Sequence, residues 1–501
     1  MLEKIHHKSA PKEVVNALVT LYHQGKFDDV LSRSSQLIKE YPQTFVLHNI
    51  IGAISFEKGQ KEEAIKHFRK VIELRPHHPH AYNNLGAALI DIGEYEEAKS
   101  NLKKAIELQP DYAEAYNNLG NVYKEMEEYN QAISVYEKAI ELNPEYYEAY
   151  NNLGVVLGKN EQYEEAEKVL KQVIQINPKF QEAYVNLGVI LTNAIKHQES
   201  KKILMQGLKI NPKNANIFFH IGIIYSIKNL PKIAIRYFKK AINFDANNAN
   251  IYYNLSLEYT KVGLLSKAAD NLKTCLKIEP NHQSALHVFN SLTGRKTKTA
   301  PRDYITGLFD YYANYFEKSL INDLDYKIPK EIKSLLLENS LNSLGSVMDL
   351  GCGTGLVGLE LNKNCNYIEG IDLSTNMINE ARKKNVYDKL IKTEIIDYLT
   401  NNTLNFDYFL AADVFIYIGD LYEVFRLIKK RNQKIANLVF SIELTTADDY
   451  ILEKSGRYSH STNYISSLCN EFDLTITNFK KLPIRKEKKQ YIPGALYNLS
   501  F

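Results

Sequence analysis

The sequence has no tryptophan and only four cysteines. It also lacks any run approaching the ~18 consecutive apolar residues of a membrane-spanning helix. Cys275, Cys352, Cys365 and Cys469 are scattered without a CxxC pair, which argues against both a zinc site and a disulfide framework, so no metal is expected. The amino terminus, MLEKIHHKSAPKEVV, lacks the apolar core of a signal peptide. The chain is therefore expected to be neither exported nor membrane-spanning, and a reducing cytoplasm is the expected compartment. A formal net charge of +3 over 501 residues gives no reason to expect nucleic acid or a membrane surface as a partner. Tyrosine counts 35, and Asn, Lys and Ile are plentiful, a compositional bias that points to no function.

Length is what the chain does have. At 501 residues it exceeds one core, and 45% apolar with 24% charged residues is ordinary for a globular protein, so two or more domains are expected. Rows of 34 residues align LHNIIG at 47, AYNNLG at 81, 115 and 149, AYVNLG at 183, IFFHIG at 217 and IYYNLS at 251. Glycine recurs at 52, 86, 120, 154, 188 and 222, alanine at 64, 98, 132, 166, 234 and 268, and proline at 42, 76, 110, 144, 178, 212 and 280. Small residues at fixed offsets let two helices approach, and a proline just past the second helix stops it. Each unit is thus a helix hairpin. The pattern, met best by Tyr116, Leu119, Gly120, Tyr123, Ala132, Tyr136 and Pro144, resembles the tetratricopeptide repeat. About eight units are expected within 11–292, with HQSALHVFNSL as a closing helix. The first unit departs most, with Leu18 in place of glycine, as terminal repeats do where one face meets water.

Asn84, Asn118, Asn152, Asn186 and Asn254 occupy one repeat position, with His220 as the sixth member. Stacked, they form a ladder whose amides can hold the backbone of an extended protein or peptide partner in a groove. The other reading has them bond neighbouring helices. The resemblance to tetratricopeptide scaffolds favours the groove.

The period stops at TGRKTKTAPRD, 293–303, which reads as a linker before a second domain over 304–501. Phe309, Tyr312 and Phe316 lie about a helical turn apart, as a core stripe or as a lid on a ligand. β-rich runs at 346–350, 367–373, 390–396, 406–413 and 435–442 alternate with helix-compatible stretches, the pattern of an open α/β sheet that binds ligands at the carboxyl ends of its strands. SVMDLGCGTGLVG, 346–358, sits at one such end, and its glycines could cradle a dinucleotide, hold another cofactor, or form only a tight strand-to-helix turn. Its G-x-G-x-G form differs from the plain dinucleotide fingerprint. Asp372 follows Gly351 by 21 residues, at the end of the second strand, where a carboxylate can take both ribose hydroxyls.

VMDLGCGTG, GIDLS and AADVFIYI together resemble the successive motifs of class I S-adenosylmethionine-dependent methyltransferases. Further stretches, APRDYITGLFDYYANYFEKSL and SGRYSHSTNYI, are similar to a tetratricopeptide-linked, trans-aconitate-methyltransferase-like group. The fold so implied is an all-α solenoid followed by an α/β Rossmann-like domain, with S-adenosyl-L-methionine as cofactor. The resemblance implies that Asp349 orients the methionine ammonium, that Gly351, Gly353 and Gly355 admit the methionine part, and that Asp372 binds the ribose. Met377 would flank the adenine, Glu394 and Ile395 would line its edge with Asp397 competing for the acidic place, and Asp413 would face the methyl group and the acceptor.

Transfer from a sulfonium is an in-line displacement governed by alignment and exclusion of water. An amine or hydroxyl acceptor needs a proton removed, for which His460 is the titratable candidate, unless it is a structural histidine. Arg457 and Tyr458 are candidates to bind an acidic acceptor, and Glu443 is expected at the same rim. The basic run KKLPIRKEKKQY, 480–491, reads as a solvated hairpin or a contact for an anionic partner. Three functions are compatible with this: a methyltransferase whose solenoid recruits a protein or peptide, one acting on a small carboxylic acid with a solenoid for localisation, and a catalytically silent scaffold.

Overall fold

The computed structural model describes residues 9–309, 324–337, 343–487 and 490–501. Tyr312 and Phe316 lie outside the described residues, while Phe309 closes the described part of a helical stretch over 302–309. The chain forms two compact units, one up to Ile224 and the other from Tyr225 to Phe501.

The repeats form eight helix hairpins, from α1 (Lys12–His23) to α16 (Leu265–Ile278), and a closing helix α17 (Gln283–Thr293). The reason for the glycine is visible between α7 (Ala113–Glu125) and α8 (Tyr129–Leu142). A Cβ on Gly120 would stand 2.5 Å from the ring of Tyr136. The missing side chain is the slot into which the large residue sixteen positions later packs. Gly52 receives Phe68, Gly86 Leu102, Gly154 Leu170 and Gly188 Leu204 in the same way. Tyr136 is fully buried and its hydroxyl donates to Asn121 Oδ1 at 2.7 Å, so the aromatic variant carries its own partner inward. Burying such a side chain stabilises by about 1.5–3 kcal/mol. The recurrent alanines, Ala64, Ala98, Ala132, Ala166, Ala234 and Ala268, are all buried. Where Ser200 replaces one, its Oγ donates to Gly188 O at 2.6 Å and meets Thr192 Oγ1 at 2.8 Å, which satisfies the added hydroxyl.

The second unit contains a nine-stranded sheet. Strands β1 (Ser346–Leu350), β2 (Tyr367–Asp372), β3 (Lys389–Lys392), β4 (Tyr408–Ala411) and β5 (Asn437–Leu444) run parallel in the order β3-β2-β1-β4-β5. Helices α18 (Ile328–Leu337), α19 (Leu356–Leu361), α20 (Thr375–Lys383), α21 (Ile395–Asn401), α22 (Tyr422–Arg431) and α23 (Thr462–Glu471) accompany them. Two apolar cores result, one gathering Met348, Phe409, Phe425 and Phe440, the other Ile332, Val347, Leu410 and Leu496. Neighbouring residues on one strand thus serve opposite faces, as a sheet covered on both sides requires.

The carboxyl-terminal third departs from the sequence reading. β6 (Tyr450–Leu452) and β7 (Tyr458–His460) form an antiparallel pair that is not among the expected strands, and β7 joins β5. The basic run forms the expected hairpin, with Lys480, Lys481 and Pro483 exposed, but it buries Ile484 and Arg485. It lies largely within β8 (Thr475–Glu487), which pairs with β9 (Gln490–Ser500), and β9 runs antiparallel to β5. Arg485 in that run is 6% exposed.

Residues 296–300, read as loop-like, lie against the sheet. Lys298 O accepts from Gly419 N and Asp420 N, both at 2.8 Å, Thr299 bridges Ile418, and Ala300 N donates to Tyr417 O at 2.9 Å. From α17, His287 is buried and its Nε2 donates to Gly456 O at 2.9 Å.

The glycine slot predicts that Gly120→Ala lowers stability. Overpacking costs ~1–3 kcal/mol, offset by a helix-propensity gain of ~1 kcal/mol. A reduced denaturation midpoint is the expected outcome, and an unchanged or raised one would show that the slot has room.

Candidate functional site

The polypeptide turns from β1 into α19 through Gly351, Gly353 and Gly355, whose φ angles are 68°, 54° and 88°. All three occupy the left-handed region, where a side chain is strained. A Cβ on Gly351 would meet Val414 at 2.6 Å, whereas none would meet anything within 4 Å at Gly353. Gly353 therefore presents open backbone. Its N–H donates to Asp372 Oδ2 at 2.9 Å, and Ser374 N donates to Asp372 Oδ1 at 2.8 Å, which ties the glycine turn to the end of β2.

These groups border a cavity of about 830 Å³ at the carboxyl ends of the strands. Gly351, Gly353, Asp372, Met377, Glu394 and Ile395 line it, as do Asp413 and Arg457. Glu394 caps α21 by accepting from Asp397 N at 3.0 Å. Arg302 Nη2 lies 2.8 Å from Asp397 Oδ2 and 3.6 Å from Glu394 Oε2, so both acids that compete for the acidic place share one cation.

Asp349 lies behind this lining, 1% exposed. Its Oδ2 accepts from Tyr387 OH at 2.7 Å, and its Oδ1 has no hydrogen-bond partner among the described residues. Burial pushes its carboxyl up to about 7, against the lowering effect of Tyr387 and with a further rise from Asp372. A buried carboxylate oxygen without a donor fits a cationic group of a ligand. The same Tyr387 hydroxyl accepts from Gly358 N at 3.1 Å, so this tyrosine pins both ends of the glycine turn, although nothing in the local sequence singled it out.

Asp413 has φ 56°, and its N donates to Ser441 Oγ at 2.8 Å. Arg485 Nη1 reaches Asp413 Oδ2 at 2.6 Å, and Arg485 Nη2 also bonds Glu443 Oε1. Burial raises the Asp413 carboxyl, and Arg485 opposes the rise. Arg457 donates from Nε to Glu443 Oε1 at 2.9 Å and from Nη2 to Glu487 Oε2 at 2.5 Å. Arg485 lines the cavity and went unnoticed in the sequence because its basic neighbours suggested a solvated run.

Besides Asp349 and Gly355, which lie behind the lining, three expected residues do not reach the cavity. His460 is fully buried beside β6, and its Nε2 sits 3.0 Å from Ile418 O and Gly419 O. Two carbonyls require a donor there, and burial pushes the imidazole down to about 4, so His460 holds a turn and is not placed to act as a base. Tyr458 is buried with its hydroxyl 2.5 Å from Thr297 Oγ1, not directed at an acceptor. Glu443 is 5% exposed and stands behind the two arginines instead of at the rim.

In the ladder, Asn118 Nδ2 donates to Asn83 Oδ1 at 2.9 Å, Asn152 to Asn117 at 3.0 Å, and Asn186 to Asn151 at 2.9 Å. Asn84 reaches Asn49 only at 3.5 Å, and Asn254 bonds its own helix through Asn250 O at 2.9 Å. The middle members therefore join successive repeats through one amide hydrogen each. The second hydrogen and the carbonyl are the groups left to serve a groove.

Among known families, residues 347–431 match a methyltransferase domain, 52–93 a TPR repeat, and 78–288 the cilia and flagella-associated protein 70 C-terminal domain. The chain joins tetratricopeptide repeats to a methyltransferase domain. An uncharacterized methyltransferase of Schizosaccharomyces pombe is 39% identical over 56 residues, 11% of this chain and 22% of that protein. The chain thus matches about a fifth of that relative's length. Solved structures similar to it include the APC/C hetero-tetramer Cut9-Hcn1, at 19% identity over 56% of this chain and 55% of that one with a TM-score of 0.43. A tetratricopeptide repeat protein of Parabacteroides merdae is 18% identical over 49% of this chain and 98% of its own, also with a TM-score of 0.43. No helix among the described residues is long and apolar enough to cross a membrane, and none of their His, Cys, Asp and Glu side chains group in threes to hold a metal.

The Asp349 carboxyl of the methyltransferase domain sets a pH dependence. With its folded value near 7 and an ordinary value near 3.8, the native state keeps a proton that the unfolded chain has lost between about pH 4 and 7. Stability therefore falls as pH rises through that window. Thermal melts of Asp349→Asn should lose this slope, and an unchanged slope would assign it to another group.

Proposed function

We propose that the chain is an S-adenosylmethionine-dependent methyltransferase whose solenoid, over 11–292, recruits a protein or peptide acceptor to a catalytic domain over 304–501, the two joined by 293–303, with the cytoplasm as its compartment. The observation that carries this reading is the buried, unpartnered Asp349 Oδ1 behind a left-handed glycine turn, with Asp372 at the adjoining strand end. When bound, the cofactor supplies an electrophilic methyl group. Asp349 would receive the methionine ammonium, and the exposed backbone at Gly353 would let the methionine part approach. Asp372 would take the ribose hydroxyls, with Met377, Ile395 and an acid from the Glu394–Asp397 pair around the adenine. Asp413 would face the acceptor, and Phe309, Tyr326 and Tyr417, which line the cavity, would exclude water.

Calorimetry on the full chain should show binding of S-adenosylhomocysteine and none of comparable strength for NAD; the reverse would sink the reading. Asp372→Ala removes a charged acceptor worth ~1.5–3 kcal/mol, so affinity should drop by roughly ten- to a hundredfold. An unchanged dissociation constant in a folded variant would remove Asp372 from the site.

The solenoid's role has its own test. Replacing Asn118, Asn152 and Asn186 by Ala should raise the acceptor's apparent KM and leave S-adenosylhomocysteine affinity as it was. Because each asparagine also bonds the preceding repeat, a melt must accompany the kinetics. An unchanged KM would exclude the ladder from acceptor binding.

A further inference from the structure

We infer that Tyr387 is a positioning residue for the cofactor, fixing one oxygen of Asp349 so that the other stays free and ionised for the methionine ammonium; the inference rests on the methyltransferase reading above and deepens it. Tyr387 stands between α20 and β3, outside the glycine turn and absent from the cavity lining. Three glycines make room for its ring. A Cβ on Gly355 would come within 3.1 Å of it, one on Gly370 within 2.9 Å and one on Gly358 within 2.5 Å. The turn after β1, helix α19 and strand β2 thus close on a single tyrosine, whose side chain also packs against the apolar core of Val347, Val357 and Ile368.

The direction of its hydroxyl proton is fixed as well. Gly358 N donates to the oxygen at 3.1 Å, which leaves the proton for Asp349 Oδ2, 2.7 Å away. A carboxyl otherwise turns easily about its last bond, because that torsion is broad and two-fold. Anchored through Oδ2, it holds Oδ1 in one direction, and Oδ1 has no hydrogen-bond partner among the described residues. The same bond favours the charged form, since a donated proton stabilises a carboxylate more than a carboxylic acid.

The other groups around Asp349 oppose its ionisation. Burial pushes the carboxyl up to about 7 and Asp372, at the end of β2, adds to the rise, while Tyr387 lowers it. Cys352, Cys365 and Tyr326 also face Asp349, and burial pushes each above its ordinary range, so they stay neutral near that pH. No cation stands among these groups. The ammonium is therefore the counter-charge they lack, and it needs Asp349 without its proton. Binding consequently releases a proton wherever the empty site still carries one.

Calorimetry on the full chain tests this with S-adenosylhomocysteine, whose affinity should rise about tenfold per pH unit below a midpoint of about 7 and level off above it. Tyr387→Phe keeps the ring in its slot and removes the donor. Its midpoint should move up by about one pH unit, so that affinity falls roughly tenfold at about pH 6 and less than about threefold at about pH 8.5. A purely structural tyrosine would weaken binding equally at both. That outcome, like an unchanged curve, would overturn the inference and leave the cofactor site standing. If a melt shows the variant unfolded, the wild-type chain still decides. Binding measured in two buffers of different ionisation heat should release about one proton at about pH 6 and almost none at about pH 8. No release at the lower pH would overturn the inference. Absence of S-adenosylhomocysteine binding at every pH would instead remove the methyltransferase reading and the inference with it.

Discussion

Arg485 joins two parts of the second unit that pair only at one edge. It rises from β8, outside the parallel sheet, and places one nitrogen on Asp413 after β4 and another on Glu443 in β5. Glu443 is buried and Asp413 partly so, and a buried carboxylate with no cation is among the most costly groups a fold can contain. The antiparallel hairpin, the left-handed turn at Asp413 and the place of Arg457 are thereby linked. Arg457, the second arginine of the cavity wall, shares Glu443 with Arg485 and is held further by Glu487.

The repeats were legible because their determinants are local. Gly120 and Tyr136 are sixteen residues apart and meet within one hairpin, so a strict period in the sequence is a strict period in space. The parallel strands were legible for a similar reason, since each alternates with its own helix. Their bounds shifted where caps decide them: Glu394 was read at the end of a strand run, yet its side chain accepts from Asp397 N and starts α21.

The site was legible only in part. Glycines with positive φ and a strand-ending Asp372 announce themselves by type and spacing, because few residues can do those jobs. His460, Tyr458 and Arg485 do not. Whether a histidine faces a cavity or two carbonyls depends on Ile418 and Gly419, more than forty positions away. Whether an arginine in a basic run is solvated depends on Asp413, 72 positions away. Such pairings are fixed by strand order, and the order of β5, β7, β8 and β9 leaves no periodic trace in the chain.

The stretch from α17 to Ala300 has little slack. His287 grips Gly456, Lys298 O receives two amides from the turn at 419–420, and Thr299 bridges Ile418. Those contacts reach the neighbours of Arg457 and Tyr417, two residues of the cavity wall. Further up the chain hairpins are closed by their own glycine slots, so one repeat resembles the next. The last helix is tied elsewhere. A cut at the visible end of the periodicity would separate the cavity wall from the segment that braces it, because His287 and residues 298–300 are bonded to the turns at 456 and 417–420.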